Sequence, residues 1–308
     1  MATQRLTFKA QLAQVSVPAT SANLGSGFDS FGLALDMRDR YAAQILDEAT
    51  FDVDVTGEGA NEVKKDKSNL VIKSMLRGFE FMGQKPRGIA LRALNVTPHS
   101  RGLGSSASAI VGGLALAREL VLGGEQYMSP DEMMFLATEL EGHPDNVGAA
   151  IFGGATISWI ENINEVNTGR AVSIAVHQDI KAIVFIPENH LATSKARKLL
   201  PESIPHREAV VNSAHTALLS VALSTRPDLL LTATEDFLHQ NYRASAFPKS
   251  MALMAKLRSM GVAATISGAG PSVLALHTCS ASEVQEILKT SGSGFQEKEL
   301  AISRRGVE

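Results

Sequence analysis

The stretch Pro98-His99-Ser100-Arg101-Gly102-Leu103-Gly104-Ser105-Ser106-Ala107-Ser108 sets two glycines and two adjacent serines within five positions. Glycine lets a backbone come close to a ligand with no Cβ in the way. Serine hydroxyls donate to anions and bind hard cations such as Mg²⁺. The stretch runs into Ala107, Ile110, Val111, Leu114, Ala117 and Val121, spaced as one buried face of a helix. The first turn of that helix would add unpaired N–H groups and the positive end of the dipole. Taken alone, the stretch reads either as a phosphate cradle or as a Gly/Ser turn capping an ordinary helix. It is not a P-loop, because no Lys-Ser/Thr follows the second glycine. Gly102, Gly104 and Ala107 fit the dinucleotide pattern G-x-G-x-x-A, but a loop, not an acid-tipped strand, follows the helix.

Three further stretches carry groups able to do chemistry. Glu139 and Glu141 close a predicted helix that opens with Ser129-Pro130-Asp131-Glu132. The dipole disfavours acids at that end, which points to a cation nearby. The breaker Gly142-His143-Pro144-Asp145-Asn146 follows directly. The loop Ala19 to Asp29 is dense in glycine and small polar residues, and Asn23 and Asp29 are its side chains with strong directional bonding. Turn capping would account for both as well. A second glycine loop, Ser267-Gly268-Ala269-Gly270-Pro271-Ser272, lies near the C-terminal end.

The elements that must position these groups alternate irregularly. Strands are expected at Ala13 to Pro18, Phe51 to Thr56, Gly88 to Val96, Lys181 to Ile186, Val262 to Ile266 and Val273 to Leu276. Helices are expected from Asn69 to Phe81, after the serines, at Thr193 to Leu200, from Glu208 to Leu223 and from Ser250 to Met260. On the Glu208 helix, Ala209, Val210, Ala214, Ala217, Leu218 and Val221 form the expected apolar face. Val147 to Trp159 reads as a strand or a short helix. The polar run Glu161 to Arg170 is the expected boundary between two domains, 1–165 and 166–308. Both halves are α+β, without the regular βαβ order of a parallel sheet.

A chain of 308 residues with 44% hydrophobic residues can build a large core. Its net charge is −3, without a basic block, so neither nucleic acid nor a membrane surface is an expected partner. Cys279 is the single cysteine, which excludes an internal disulfide and fits a reducing compartment. No signal peptide or membrane span is apparent, so a cytoplasmic protein acting on small molecules is expected.

The stretches Pro18 to Asp29, Gly102 to Ala107 and Ser267 to Ser272, in that order, resemble the GHMP kinases, the superfamily of galactokinase, homoserine kinase and mevalonate kinase. With Glu141-Gly142-His143-Pro144-Asp145-Asn146, the first looks most like the homoserine kinases, which phosphorylate the side-chain hydroxyl of L-homoserine in threonine biosynthesis. The resemblance covers nearly the whole chain. It implies an N-terminal ribosomal protein S5 domain 2-like domain and a C-terminal ferredoxin-like domain, with ATP and substrate in the cleft between them. It implies that the backbone of Pro98 to Ser108 wraps the phosphates, that Ser105 or Ser106 holds Mg²⁺ with Glu141, and that Asn69 approaches adenine. Asn23, Asp29, His143, Asn146, Thr193, Arg197 and Arg243 would contact homoserine, and Gly268 would shape the cleft. Asn146, Glu141 and Ser106 would be catalytic.

The chemistry is consistent with that assignment. A zwitterion needs a planar, permanently charged donor for its carboxylate, which arginine supplies, and an acid for its ammonium. Several GHMP kinases carry an aspartate base where Asn146 stands, and asparagine cannot take a proton. Direct transfer without a side-chain base is therefore expected, since positioning and charge neutralisation dominate phosphoryl transfer; Asp145 is the adjacent alternative base. Two rival readings stand beside this one: a GHMP kinase for another alcohol, such as mevalonate or shikimate, and a non-catalytic relative that senses ATP or a ligand. A homodimer is left open.

Overall fold

A computed structural model of the chain describes residues 6–190 and 193–308, with the backbone alone at 193 and 194. In the first half, β1 (Ala13–Ala22), β2 (Phe31–Leu46) and β3 (Phe51–Gly57) precede α1 (Leu70–Phe81) and β4 (Gly88–Asn95). Then come α2 (Ser105–Glu119), α3 (Pro130–Glu141), α4 (Asp145–Phe152), β5 (Ala155–Ile163) and β6 (Val166–Ile174). The second half begins with β7 (Lys181–Pro187), α5 (Thr193–Arg197), α6 (His206–Ser224) and α7 (Leu230–Ala233). It ends with α8 (Pro248–Ser259), β8 (Ala263–Ile266), β9 (Val273–His277), α9 (Ala281–Leu288) and β10 (Phe295–Leu300).

Among the described residues the first sheet has the order β3-β4-β2-β5-β6, with β1 along the other side of β2. The strand β2 holds it together. Its Arg40–Leu46 end pairs with β4 and its Phe31–Leu33 end with β5, while β1 runs antiparallel along most of its length. Val15, Val17, Ile89 and Leu91 point to one face and meet Ile72, Met75 and Phe79 of α1 and Leu114 and Leu116 of α2. The second sheet has the order β10-β7-β9-β8. Successive side chains of β7 are buried on opposite faces, as alternation requires. Ala182, Val184 and Ile186 join Leu33, Leu35, Leu219 and Leu223 in a core shared with the first half, while Ile183 and Phe185 pack with Leu253 and Leu257 of α8. The two halves thus meet through apolar contact, and their motif-bearing loops converge at its margin.

Several expectations change. The strand β1 runs on to Ala22, through part of the expected loop. Val147 to Trp159 is a helix and then a strand, turned at Gly153, whose φ is 73°. The expected boundary at 165/166 falls in the tight β5–β6 hairpin, where Glu161 to Ile163 pair with Val166 to Thr168 across the turn. The change of sheet comes between β6 and β7. The last residues also return to the first sheet, where Ser16 and Glu308 exchange backbone hydrogen bonds. On α6 the buried residues are Asn212, Leu219, Ala222 and Leu223, while Val210 and Val221 are exposed. Small and apolar residues surround that helix on all sides, so spacing alone does not identify its inner face. No helix of the described residues is long and apolar enough to cross a membrane.

Candidate active site

Gly104 caps α2 in the left-handed conformation, φ 70°, and no side chain satisfies the first-turn N–H groups. Those donors and the dipole face a cleft of about 260 Å³. A Cβ on Gly104 would lie 1.9 Å from Thr20 Oγ1, and one on Gly102 would lie 2.1 Å from the Ser267 carbonyl oxygen. The glycines therefore let the three motifs close on one another. Of the eleven residues expected to wrap phosphate, Ser100 and Gly102 to Ser106 line the cleft. The side chains of the others have partners elsewhere. Ala107 and Ser108 are buried, and Ser108 Oγ hydrogen-bonds the Tyr41 hydroxyl at 3.0 Å. The Arg101 guanidinium donates to the carbonyls of Pro187 and Glu188, both at 2.7 Å, tying the loop to the end of β7. Pro98 lines a separate cavity beside that tie. His99 approaches Asn95 Nδ2 at 3.3 Å.

Ser106 Oγ donates to Glu141 Oε1 at 2.6 Å, so the end of α3 meets the start of α2. Burial pushes the Glu141 carboxyl above its ordinary range, against the Ser106 hydrogen bond and the charge of His143. Glu139 has a cation beside it: Arg77 of α1 forks onto it through Nε and Nη2 at 3.0 and 2.9 Å. The cation implied by Glu139 is thus a surface arginine, and the unmatched acid is Glu141. A hydroxyl and a carboxylate side by side are hard oxygen donors, the set that suits Mg²⁺ when phosphate oxygens and water complete the shell.

Asn146 sits in the first turn of α4 with its side chain held from two sides. Thr20 Oγ1 donates to Oδ1 at 2.8 Å, and Nδ2 faces Asp145 Oδ1 at 3.4 Å. A carboxylate only accepts, so the amide is oriented with its NH₂ on the Asp145 side and its carbonyl on the Thr20 side, in the wall of the cleft. Asp145 Oδ1 also accepts from its neighbour's backbone N–H and from His143 Nδ1, at 2.7 and 2.8 Å. Burial pulls the His143 pKa down, but the hydrogen bond and charge of Asp145, with Glu141, outweigh it and hold the imidazole above its usual value. Thr20 is fully buried and nothing in its spacing marks it out. A Thr20→Val enzyme keeps the shape and removes the donor. Its kcat is expected to fall about tenfold, with a stability loss of about 1–3 kcal/mol for the stranded carbonyl, read from initial rates and thermal unfolding.

Of the other expected substrate residues, Asn23, Asp29, Arg197 and Arg243 line the same cleft. Arg197 forks onto Asp29 at 3.0 and 2.8 Å, which holds its guanidinium above its ordinary range. Asn23 lines the cleft, but both ends of its amide hold the backbone: Nδ2 donates to the Gly268 carbonyl and Oδ1 accepts from the Asp29 N–H. Arg243 is only 2% exposed. It has no carboxylate within ion-pair distance among the described residues, its Nε has no partner, and its guanidinium lies 5.2 Å from the Phe28 ring centroid. Burial and repulsion from Arg197 lower its pKa. Thr193 opens α5 close by in sequence, and its side chain lies outside the described residues.

A second cavity of about 340 Å³ adjoins the cleft, and both are walled by Ser100, Ser105 and Ser106. Asn69 lines it, but its amide is occupied: Oδ1 caps α1 by accepting from Val71 N, and Nδ2 donates to the Lys64 carbonyl.

Comparison with known proteins identifies this arrangement. The model of the GHMP kinases N terminal domain matches residues 69–154 and that of the GHMP kinases C terminal domain matches residues 220–294. A homoserine kinase of Streptomyces avermitilis is 43% identical over 299 residues, covering 97% of this chain and 96% of that protein. The chain belongs to the homoserine kinase family of GHMP kinases. Another member of that family, from Clavibacter michiganensis, is 47% identical and covers 85% of this chain and 82% of its own. The crystal structure of homoserine kinase from Cytophaga hutchinsonii superposes with a TM-score of 0.85 at 26% identity, over 99% of both chains. The two-domain GHMP kinase fold expected from the motifs is therefore the fold of this homoserine kinase family member.

Proposed function

We propose that the chain transfers the γ-phosphate of ATP to the side-chain hydroxyl of L-homoserine, giving O-phospho-L-homoserine for threonine biosynthesis. One observation supports this reading most: a buried arginine without a carboxylate partner, Arg243, lines the same cleft as the open N-terminus of α2. An unpaired guanidinium out of water costs several kcal/mol. It is kept where a ligand anion uses it. Arg243 and Arg197 take the substrate carboxylate. Asp29 exchanges Arg197 for the substrate ammonium, so a zwitterion satisfies both ends of the pair that it separates. Mevalonate and shikimate have no ammonium for Asp29, which favours an amino acid.

On the nucleotide side, the first-turn N–H groups of α2 and the hydroxyls of Ser105 and Ser106 receive the phosphates, and the base lies toward the Asn69 cavity. Ser106 and Glu141 fit Mg²⁺, which when bound neutralises charge on the phosphate oxygens. The Asn146 NH₂ donates to the hydroxyl oxygen of homoserine and aligns it with the γ-phosphorus. As the new P–O bond forms and the bond to ADP breaks, the hydroxyl proton passes late to a γ-phosphoryl oxygen. Asp145 anchors His143 and the start of α4, and asparagine cannot act as a base. This supports direct transfer, with catalysis by alignment and charge. Phosphorus NMR of a mixture of enzyme, ATP, Mg²⁺ and L-homoserine should show a new phosphomonoester with stoichiometric ADP, and none with mevalonate or shikimate. ATP and homoserine left intact, although both bind, would favour a sensing protein instead.

A further inference from the structure

His239 is fully buried against Phe28 and Arg243 of the cleft lining and is not itself among the lining residues. Its Nε2 lies 3.0 Å from the carbonyl oxygen of Gly25 in the first motif. A carbonyl only accepts, so Nε2 carries the proton and Nδ1 presents its lone pair. That lone pair faces Nη1 of Arg243 at 3.4 Å, a long hydrogen bond but the one side-chain acceptor given to this guanidinium among the described residues. The imidazole stacks on Phe28, centroids 4.8 Å apart and planes 19° apart, and Phe28 also lies against the Arg243 guanidinium. The nearest acid, Asp236, lies 3.6 Å from Nε2, and its carboxylate accepts from the backbone N–H groups of Leu238, His239 and Gln240. It therefore holds the turn that carries His239 and leaves Arg243 unpaired.

Resting on the functional reading above, we propose that His239 is a positioning residue that aims Arg243 at the substrate carboxylate while leaving the arginine's charge free. A neutral acceptor does both jobs. An acid at this position would fix the guanidinium equally well but would take the charge meant for the ligand. Burial, the largest influence, with the neighbouring arginine, holds the imidazole below its ordinary pKa against the charge of Asp236, in keeping with a neutral acceptor. His239 thus acts on specificity through its neighbour, and its loss should be felt by substrates that carry a carboxylate and by no others.

The test compares L-homoserine with 2-aminobutane-1,4-diol, the analogue with CH₂OH in place of the carboxylate. In His239→Leu the homoserine KM should rise about 10–100-fold, the loss of one buried hydrogen bond to a charged group. The diol KM and the ATP KM should stay within about twofold of wild type. His239→Asn, whose Oδ1 can replace Nδ1 as acceptor, should recover part of the homoserine loss, and its unfolding midpoint shows that the fold is kept. Equal losses for homoserine and the diol, or an unchanged homoserine KM in a folded variant, would overturn the proposal and leave the functional reading standing. A wild-type enzyme that phosphorylates neither compound would overturn both.

Discussion

An Arg243→Leu enzyme is expected to become more stable and to lose its substrate. The side chain is buried with an unpaired Nε, and no carboxylate pairs with it among the described residues. Replacing such a cation by an apolar residue of smaller volume removes its desolvation penalty, while the contacts to Phe28 and His239 are lost. The net gain expected for the empty enzyme is about 1–3 kcal/mol, seen as a higher unfolding midpoint without ligand. Activity moves the other way. Removing one partner of a buried charged contact costs about 2–5 kcal/mol, so kcat/KM for homoserine should fall on the order of 10²–10³-fold while the ATP KM changes little. Stability is here set against function, as in many sites that hold an unpaired charge. A lower unfolding midpoint with equal effects on both substrates would mean that Arg243 is structural.

Glu141→Gln is expected to fold normally and to lose catalysis. Glutamine offers an Oε1 to the Ser106 hydroxyl, so the α2–α3 contact at 2.6 Å survives the change. What disappears is the negative charge beside the phosphates. The kcat should drop on the order of 10²–10³-fold and the Mg²⁺ concentration for half activity should rise on the order of tenfold, with the homoserine KM nearly unchanged. Full activity at ordinary Mg²⁺ would remove Glu141 from the metal site and leave it as a helix-end contact.

Much of this site could be read before folding, because its motifs are short and glycine carries a geometric message. Gly102 and Gly104 sit where a Cβ would strike the other two motifs, so their type already reports a close approach. The unmatched acid at the end of α3 pointed to Glu141 in the same way. Side-chain assignments were less legible, because residue type does not tell which atoms the backbone has already claimed. Asn23 and Asn69 were expected to touch ligands, yet both amides hold backbone groups, one across 245 positions in the chain. Arg101 lies in the expected phosphate loop, and its side chain clasps the end of β7, a contact that residue type does not announce. Thr20 acts through Asn146, 126 positions away, and His239, four residues before Arg243, is set by the Gly25 carbonyl 214 positions away; residue type announces neither contact. The polar run Glu161 to Arg170, expected as a domain boundary, lies in the β5–β6 hairpin, and polar composition fits an exposed hairpin as well as a boundary.

The central claim is that one cleft reads both charges of a zwitterion and delivers its hydroxyl to ATP. Transfer of labelled γ-phosphate from ATP should be compared for L-homoserine, the carboxylate-free 2-aminobutane-1,4-diol and the ammonium-free 4-hydroxybutanoate. Either loss should lower kcat/KM on the order of 10²-fold or more, since each leaves a charged group of the site unpaired. Equal transfer to all three would contradict the account.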